Sequence, residues 1–89
     1  MVTHNLKITN QLGLHARPAA LIAQTAGSFV SAMSLSKDDV SVDAKSIMGV
    51  MMLAAEYGST LTLIAEGPDE KEAAAAIKQL FENKFNEDF

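Results

Sequence analysis

The chain has 89 residues, 48% of them hydrophobic, no cysteine and a formal net charge of −4. A chain this short buries only about 60–65% of its unfolded surface, so one domain spanning 1–89 is expected, with one core and little room for a deep active site. The apolar fraction argues against disorder, the acidic balance against nucleic acid as a partner, and the missing thiols exclude disulfides, thiolate zinc sites and iron–sulfur clusters.

His4 and His15 are the only histidines. They fall in different predicted elements, so neither a metal site nor a cofactor is expected. No stretch has the hydrophobic run of a signal peptide or approaches the roughly 20 apolar residues of a membrane helix. The expectation is a soluble cytoplasmic monomer with no membrane insertion.

Val2, His4, Leu6 and Ile8 alternate with Thr3, Asn5, Lys7 and Thr9. That period of two predicts a half-buried first strand, with His4 near the edge of its apolar face. Asn10 to Gly13 break the pattern as a loop. A helix should then start at His15 or Ala16, with Pro18 tolerated in its first turn. Leu21, Ile22 and Ala26 form its buried stripe, Phe29 extends the cluster, and Gly27 is placed as a left-handed stop.

Val30 to Ser36 reads as a second strand, Lys37-Asp38-Asp39 as a turn and Val40 to Ala44 as a third strand, the two forming a hairpin. Ser46 suits a helix N-cap. Ile47 to Leu53 is a short apolar helix, and Gly58 is read as a stop after Glu56-Tyr57. Thr60 to Ala65 has strong strand character, and Gly67-Pro68 turns the chain. Asp69 and Glu72 read as a capping pair for a last helix, whose core spacing runs Ala73, Ala74, Ile77, Leu80, Phe81 and Phe85. The acidic tail from Asn86 to Phe89 is expected to fray. The order β-α-β-β-α-β-α predicts an α+β layer pair, with helices on one face of an antiparallel or mixed sheet.

Gly13-Leu14-His15-Ala16-Arg17-Pro18 holds the chemistry-bearing residues. A lone loop histidine is ordinarily a solvated polar residue. Here a helix N-terminus lies directly behind it, with unpaired amides that favour an anion and disfavour imidazolium. Arg17 adds a permanent charge and a fork suited to phosphate oxygens. Together they describe a phosphoryl group on His15 held by helix amides, that of Ala16 among them, and by Arg17. No glycine-rich nucleotide loop or Mg²⁺-binding carboxylate motif is present, so the chain would receive a phosphoryl group without extracting one from ATP.

Gly13-Leu14-His15-Ala16-Arg17-Pro18-Ala19 resembles the active-site signature of the HPr family, the histidine phosphocarriers of the bacterial phosphotransferase system. Ala44-Lys45-Ser46-Ile47-Met48-Gly49-Val50-Met51 resembles that family's second signature, at matching spacing. The resemblance implies an open-faced sandwich: a four-stranded antiparallel sheet with three helices on one face. It implies that His15 takes a phosphoryl group on Nδ1 from phosphorylated enzyme I, which depends on phosphoenolpyruvate. His15 then passes it to a histidine on an enzyme IIA domain. It further implies that Arg17 steadies the phosphate, and that Ser46 is a regulatory site for an ATP-dependent HPr kinase/phosphorylase. The chain would be a phosphotransferase component and not a stand-alone enzyme. Leu12 and the ending formed by Phe81 and then Phe85-Asn86-Glu87-Asp88 resemble the nitrogen-related branch, whereas Lys45-Ser46-Ile47-Met48-Gly49 resembles kinase-regulated members, and Asp43 stands where asparagine is frequent.

Ile47, Met48, Met51 and Met52 lie at spacings that cannot all face one core. They belong to a fully buried helix, with Met as gap-filler, or to an adaptable exposed patch for several partners. The resemblance favours the patch and places Ala16, Ala20, Ile47, Met48 and Met51 in it. Ser46 serves as a plain N-cap or, phosphorylated, would set about two negative charges beside that patch. Two other classes compete with the carrier. One is a regulatory adaptor that binds through the same surface and uses His15 little. The other is a small-molecule enzyme, against which the missing second catalytic group argues.

Overall fold

The structure, a computed structural model, describes residues 1–87. Strands β1 (Val2–Lys7), β2 (Ala32–Lys37), β3 (Val40–Asp43) and β4 (Thr60–Glu66) form one antiparallel sheet in the order β1-β4-β2-β3. Helices α1 (Ala16–Gly27), α2 (Ile47–Met52) and α3 (Glu70–Glu82) cover one face. The period of two explains why. Leu6, Leu61, Leu63, Ala65, Met33 and Leu35 point to the helices and are buried, while Asn5, Thr62, Ser34 and Ser36 lie on the open face. His4 sits opposite Leu63 on the core side of edge strand β1, half-buried. The helices supply Ile22, Ala26, Val50, Ala73, Ala74, Ile77 and Phe81 to the same core.

Topology brings the chain's end to the first loop. β4 runs antiparallel to β1, and α3 turns back along β4, so α3 runs in the direction of β1. At its start the Met1 ammonium pairs with Glu70 at 2.7 Å. At its end Thr9 Oγ1 donates to the Phe81 carbonyl at 3.4 Å. The described residues that follow α3, Asn83 to Glu87, therefore arrive beside Asn10 to His15.

Several local expectations are corrected. Gly27 lies inside α1 and is not a left-handed stop. The helix closes through Ser28 in the right-handed region, whose amide and hydroxyl both donate to the Thr25 carbonyl, at 3.2 and 2.7 Å. β2 begins at Ala32 and not at Val30, because the Asp69 carboxylate captures the amides of Val30 and Ser31, each at 2.9 Å, and bends the chain there. β3 stops at Asp43, and Ala44 is buried beyond it. α2 ends at Met52 with Leu53 as its C-cap, and Ala54 at φ +49 turns the chain, well before Gly58. Glu56 to Gly58 form a turn instead, with the Gly58 amide on the Ile8 carbonyl at 2.9 Å. The Asp69–Glu72 capping pair does not form. Asp69 spends its carboxylate on the β2 approach, and Glu70 accepts from the Gly67 amide at 3.1 Å.

The Asp69 clasp also reaches the buried Ser31 hydroxyl, which donates to Oδ1. The Ser31 hydroxyl, then the Val30 amide, hold the Asp69 carboxyl below its ordinary value. A carboxyl depressed in the folded state contributes stability that is complete above its unfolded value and lost as pH falls through the folded one. Asp69→Asn is therefore expected to be less stable than the parent at neutral pH. The gap should shrink toward zero as pH falls through the folded Asp69 value, as urea midpoints across a pH series would read. A gap of constant size would show that the charge is irrelevant.

Candidate functional site

His15 is the N-cap of α1. Its backbone is extended (φ −74°, ψ −174°), and its side chain makes no capping bond. The ring turns instead toward the end of the chain, where Nε2 lies 2.7 Å from Glu87 Oε2. An ionised carboxylate only accepts, so the proton of this bond belongs to Nε2 and the neutral ring keeps its lone pair on Nδ1. Among the described residues Nδ1 has no hydrogen-bond partner.

Arg17, one position into the helix, is held by the same segment. Its Nη1 donates to the Phe85 carbonyl at 2.8 Å and to Glu87 Oε2 at 3.3 Å. Asn10 completes the group, with Nδ2 donating to the Gly13 carbonyl at 2.8 Å and to Glu87 Oε1 at 3.0 Å. The Glu87 side chain is only 4% exposed, against 35% for His15 and 51% for Arg17, so the carboxylate is the buried floor of an open site. Burial alone would push the Glu87 carboxyl up. Hydrogen bonds from Asn10, His15 and Arg17 outweigh it and hold the carboxyl below its ordinary value.

Glu87 reaches this position through an unusual turn. Lys84, Phe85 and Asn86 all adopt left-handed backbone, at φ +53, +56 and +61. Phe85 is fully buried and stacks edge-to-face on Phe81, ring centroids 4.9 Å apart. Phe85 is thus core, as its spacing suggests, but it arrives by a left-handed turn after α3 and not on the helix. The expectation of a fraying tail fails for Asn86 and Glu87; its remainder, Asp88 and Phe89, lies outside the described residues. Sequence reasoning missed Asn10 and Glu87. The available signal was an apolar anchor, Phe85, two residues before an acid, in a topology that carries the end of α3 to the first loop.

The other residues named from sequence lie around this centre. The Ala16 amide opens α1, in the first turn, where helical amides lack an intrahelical acceptor. α1 and α2 pack side by side. α2 buries only Val50. Ile47, Met48, Met51 and Met52 are exposed, Met48 and Met52 at 72% and 73%, so a fully buried helix is ruled out. Ala16 is exposed and Ala20 half-buried on the neighbouring helix. Ser46 is the N-cap of α2, its Oγ accepting from the Gly49 amide at 2.9 Å.

Residues 2–83 match the family described as the PTS HPr component phosphorylation site. The chain is similar to the phosphocarrier protein HPr of Treponema pallidum, 53% identical over 99% of this chain and 100% of the relative. It is also similar to that of Cupriavidus necator, 54% identical over 98% of each. Among solved structures, an HPr of Thermoanaerobacter tengcongensis superposes with a TM-score of 0.96 at 48% identity, covering both chains fully. A structure described as an HPr dimer from the same organism reaches 0.79 at 49% identity, over 98% of this chain and 100% of the other. With the two signatures, the sheet order and the His15 site in one chain, this protein belongs to the HPr family, the phosphocarrier components of the phosphotransferase system.

Proposed function

We propose that this chain accepts a phosphoryl group on Nδ1 of His15 from phosphorylated enzyme I, itself charged by phosphoenolpyruvate, and hands it to a histidine of an enzyme IIA domain. The observation that carries the reading is the 2.7 Å bond between His15 Nε2 and the buried Glu87 carboxylate. It keeps the proton on Nε2, so Nδ1 attacks phosphorus with its lone pair and needs no base to remove a proton first. The Nδ1–P bond forms as the donor's bond to phosphorus breaks. The phosphorylated ring carries positive charge, which Glu87 offsets from the far nitrogen. Arg17 then exchanges the Phe85 carbonyl for phosphoryl oxygens, a stronger charge-assisted partner. The amides of Ala16 and Arg17 add donors at the helix start.

The exposed surface of Ala16, Ala20, Ile47, Met48 and Met51 is the docking patch in this reading. Apolar, adaptable side chains next to His15 suit a carrier that meets more than one partner. Ser46 borders it, and phosphate there would set negative charge against an acidic partner. Incubation with an HPr kinase/phosphorylase and ATP, followed by mass spectrometry, tests this; an unlabelled Ser46 removes the regulatory role for that kinase. His15, Arg17, Asn10 and Glu87 all come from one copy, which supports a single domain over 1–89 acting as a monomer, in the cytoplasm where its partners are charged.

The deciding experiment is incubation with enzyme I and phosphoenolpyruvate, followed by ³¹P NMR. The expected result is an acid-labile phosphohistidine signal that vanishes in His15→Ala. No signal from the parent chain overturns the carrier reading. An adaptor would instead keep its partner binding and its regulatory effect in His15→Ala.

A further inference from the structure

We propose that Asn10 is a positioning residue of this site: its carboxamide clamps Glu87 and so dictates which nitrogen of His15 is left free. Only two polar residues are fully buried among those described, Asn10 and Ser31. Ser31 is accounted for by the Asp69 clasp. Asn10 closes its own loop onto the Gly13 carbonyl, but that bond leaves its second amide hydrogen and its oxygen unexplained. Its Nδ2 donates to two groups that can only accept, the Gly13 carbonyl and the Glu87 carboxylate. The chemistry of both partners therefore fixes the amide's orientation, and a flipped amide would set oxygen against oxygen. The consequence is that Oδ1 is buried with no donor among the described residues. Burying an amide oxygen this way is unfavourable, and a loop needing only its own closure would be better served by a smaller side chain.

What the arrangement gains is control of a carboxylate. Glu87 has one oxygen on Asn10 and the other on His15 and Arg17. Two anchors on opposite oxygens define the plane of the carboxylate and the line along which it meets Nε2. The same Nδ2 grips the Gly13 carbonyl, two residues before His15, so ring and backbone are referred to one group. Without Asn10, Oε1 of a nearly buried carboxylate loses its donor. Glu87 then turns to find water, and the ring is released to sample both tautomers.

The proposal deepens the carrier reading and rests on it, but its primary readout does not require transfer. In ¹⁵N NMR of the neutral ring the parent chain is expected to show one tautomer, with the proton on Nε2. Asn10→Ala should show a mixture, and its phosphoryl uptake from enzyme I should fall roughly tenfold, the effect of losing one hydrogen bond to a charged group. Asn10→Asp, nearly isosteric, sets a second carboxylate against Glu87 and should perturb the tautomer more. Because Asn10 acts through Glu87, Asn10→Ala in a Glu87→Gln background should change neither tautomer nor uptake further. Should the variants fail to fold, acid titration of the parent decides. The Asn10 side-chain amide and His15 ring resonances must move together as Glu87 protonates, below the ordinary carboxylate range. Unchanged tautomer and uptake in folded variants, or independent movement in the parent, overturns the proposal. A parent that is never phosphorylated overturns the carrier reading instead and leaves the tautomer result to be judged by itself.

Discussion

Phe85→Ala is expected to lower stability by about 3 kcal/mol, the low end of the 3–5 kcal/mol typical of a core aromatic, and to dismantle the floor of the His15 site in the same step. Phe85 is fully buried and stacks on Phe81. It is also the middle of three successive left-handed residues, none of them glycine. Such backbone costs about 1–2 kcal/mol for each of Lys84 and Phe85, and less for Asn86, because asparagine tolerates it. Burying a phenylalanine returns about 1.5–3 kcal/mol, and a hydrogen bond to a charged group about 1.5–3 kcal/mol. The turn is thus held by the Phe85 ring and the Arg17 and Asn10 hydrogen bonds acting together, and none suffices alone. Removing the ring lets the segment leave and relax, which is why the loss should sit at the low end of the range. The relaxed chain carries away the acceptor of Arg17 and the carboxylate on Nε2. Urea unfolding should show the lowered midpoint, and the ¹⁵N spectrum of His15 should lose its single tautomer. A destabilised variant that keeps one tautomer would mean that Glu87 is placed by its own contacts and that Phe85 is only packing.

The same segment marks the limit of what was legible in the sequence. Alternation in Val2 to Ile8 and Thr60 to Ala65, and the spacing from Ala73 to Phe81, encode a two-sided sheet and a one-sided helix. These are local periodicities, and the fold follows them. His15 and Arg17 were visible because a helix start gives histidine and arginine a local electrostatic context. Glu87 was not visible, because its partners lie 77, 72 and 70 residues away and its approach depends on a turn in which Lys84 and Phe85 take backbone that their residue types disfavour. The family match itself ends at residue 83, before the anchor and the acid. Asp69 failed as a capping residue for the same physical reason. A carboxylate satisfies whichever amides tertiary structure presents, and here those were Val30 and Ser31, not the first turn of α3.

Gly13→Ala is expected to cost about 2–5 kcal/mol, from about 1–2 kcal/mol of left-handed backbone strain and about 1–3 kcal/mol of overpacking. Gly13 has φ +68, and a Cβ there would stand 2.5 Å from the Ala55 carbonyl oxygen and 3.1 Å from the Glu56 Cα. Both are backbone, so no rotamer change relieves the clash. The loop must lift off the segment after α2. That segment is where the Leu14 amide is anchored, on the same Ala55 oxygen at 3.0 Å. Lifting it moves His15 away from Glu87, because the Gly13 carbonyl is also the second partner of Asn10. The two contributions separate in Gly13→Asn. Asparagine tolerates left-handed backbone but carries the same Cβ. If the clash dominates, Gly13→Asn is nearly as unstable as Gly13→Ala, and phosphoryl uptake falls in both. If strain dominates, Gly13→Asn recovers most of the stability and the uptake. Unfolding midpoints of the two variants within about 0.5 kcal/mol of the parent would mean that the loop has slack at this point. The register between Gly13 and Ala55 would then not be what sets His15 over the carboxylate.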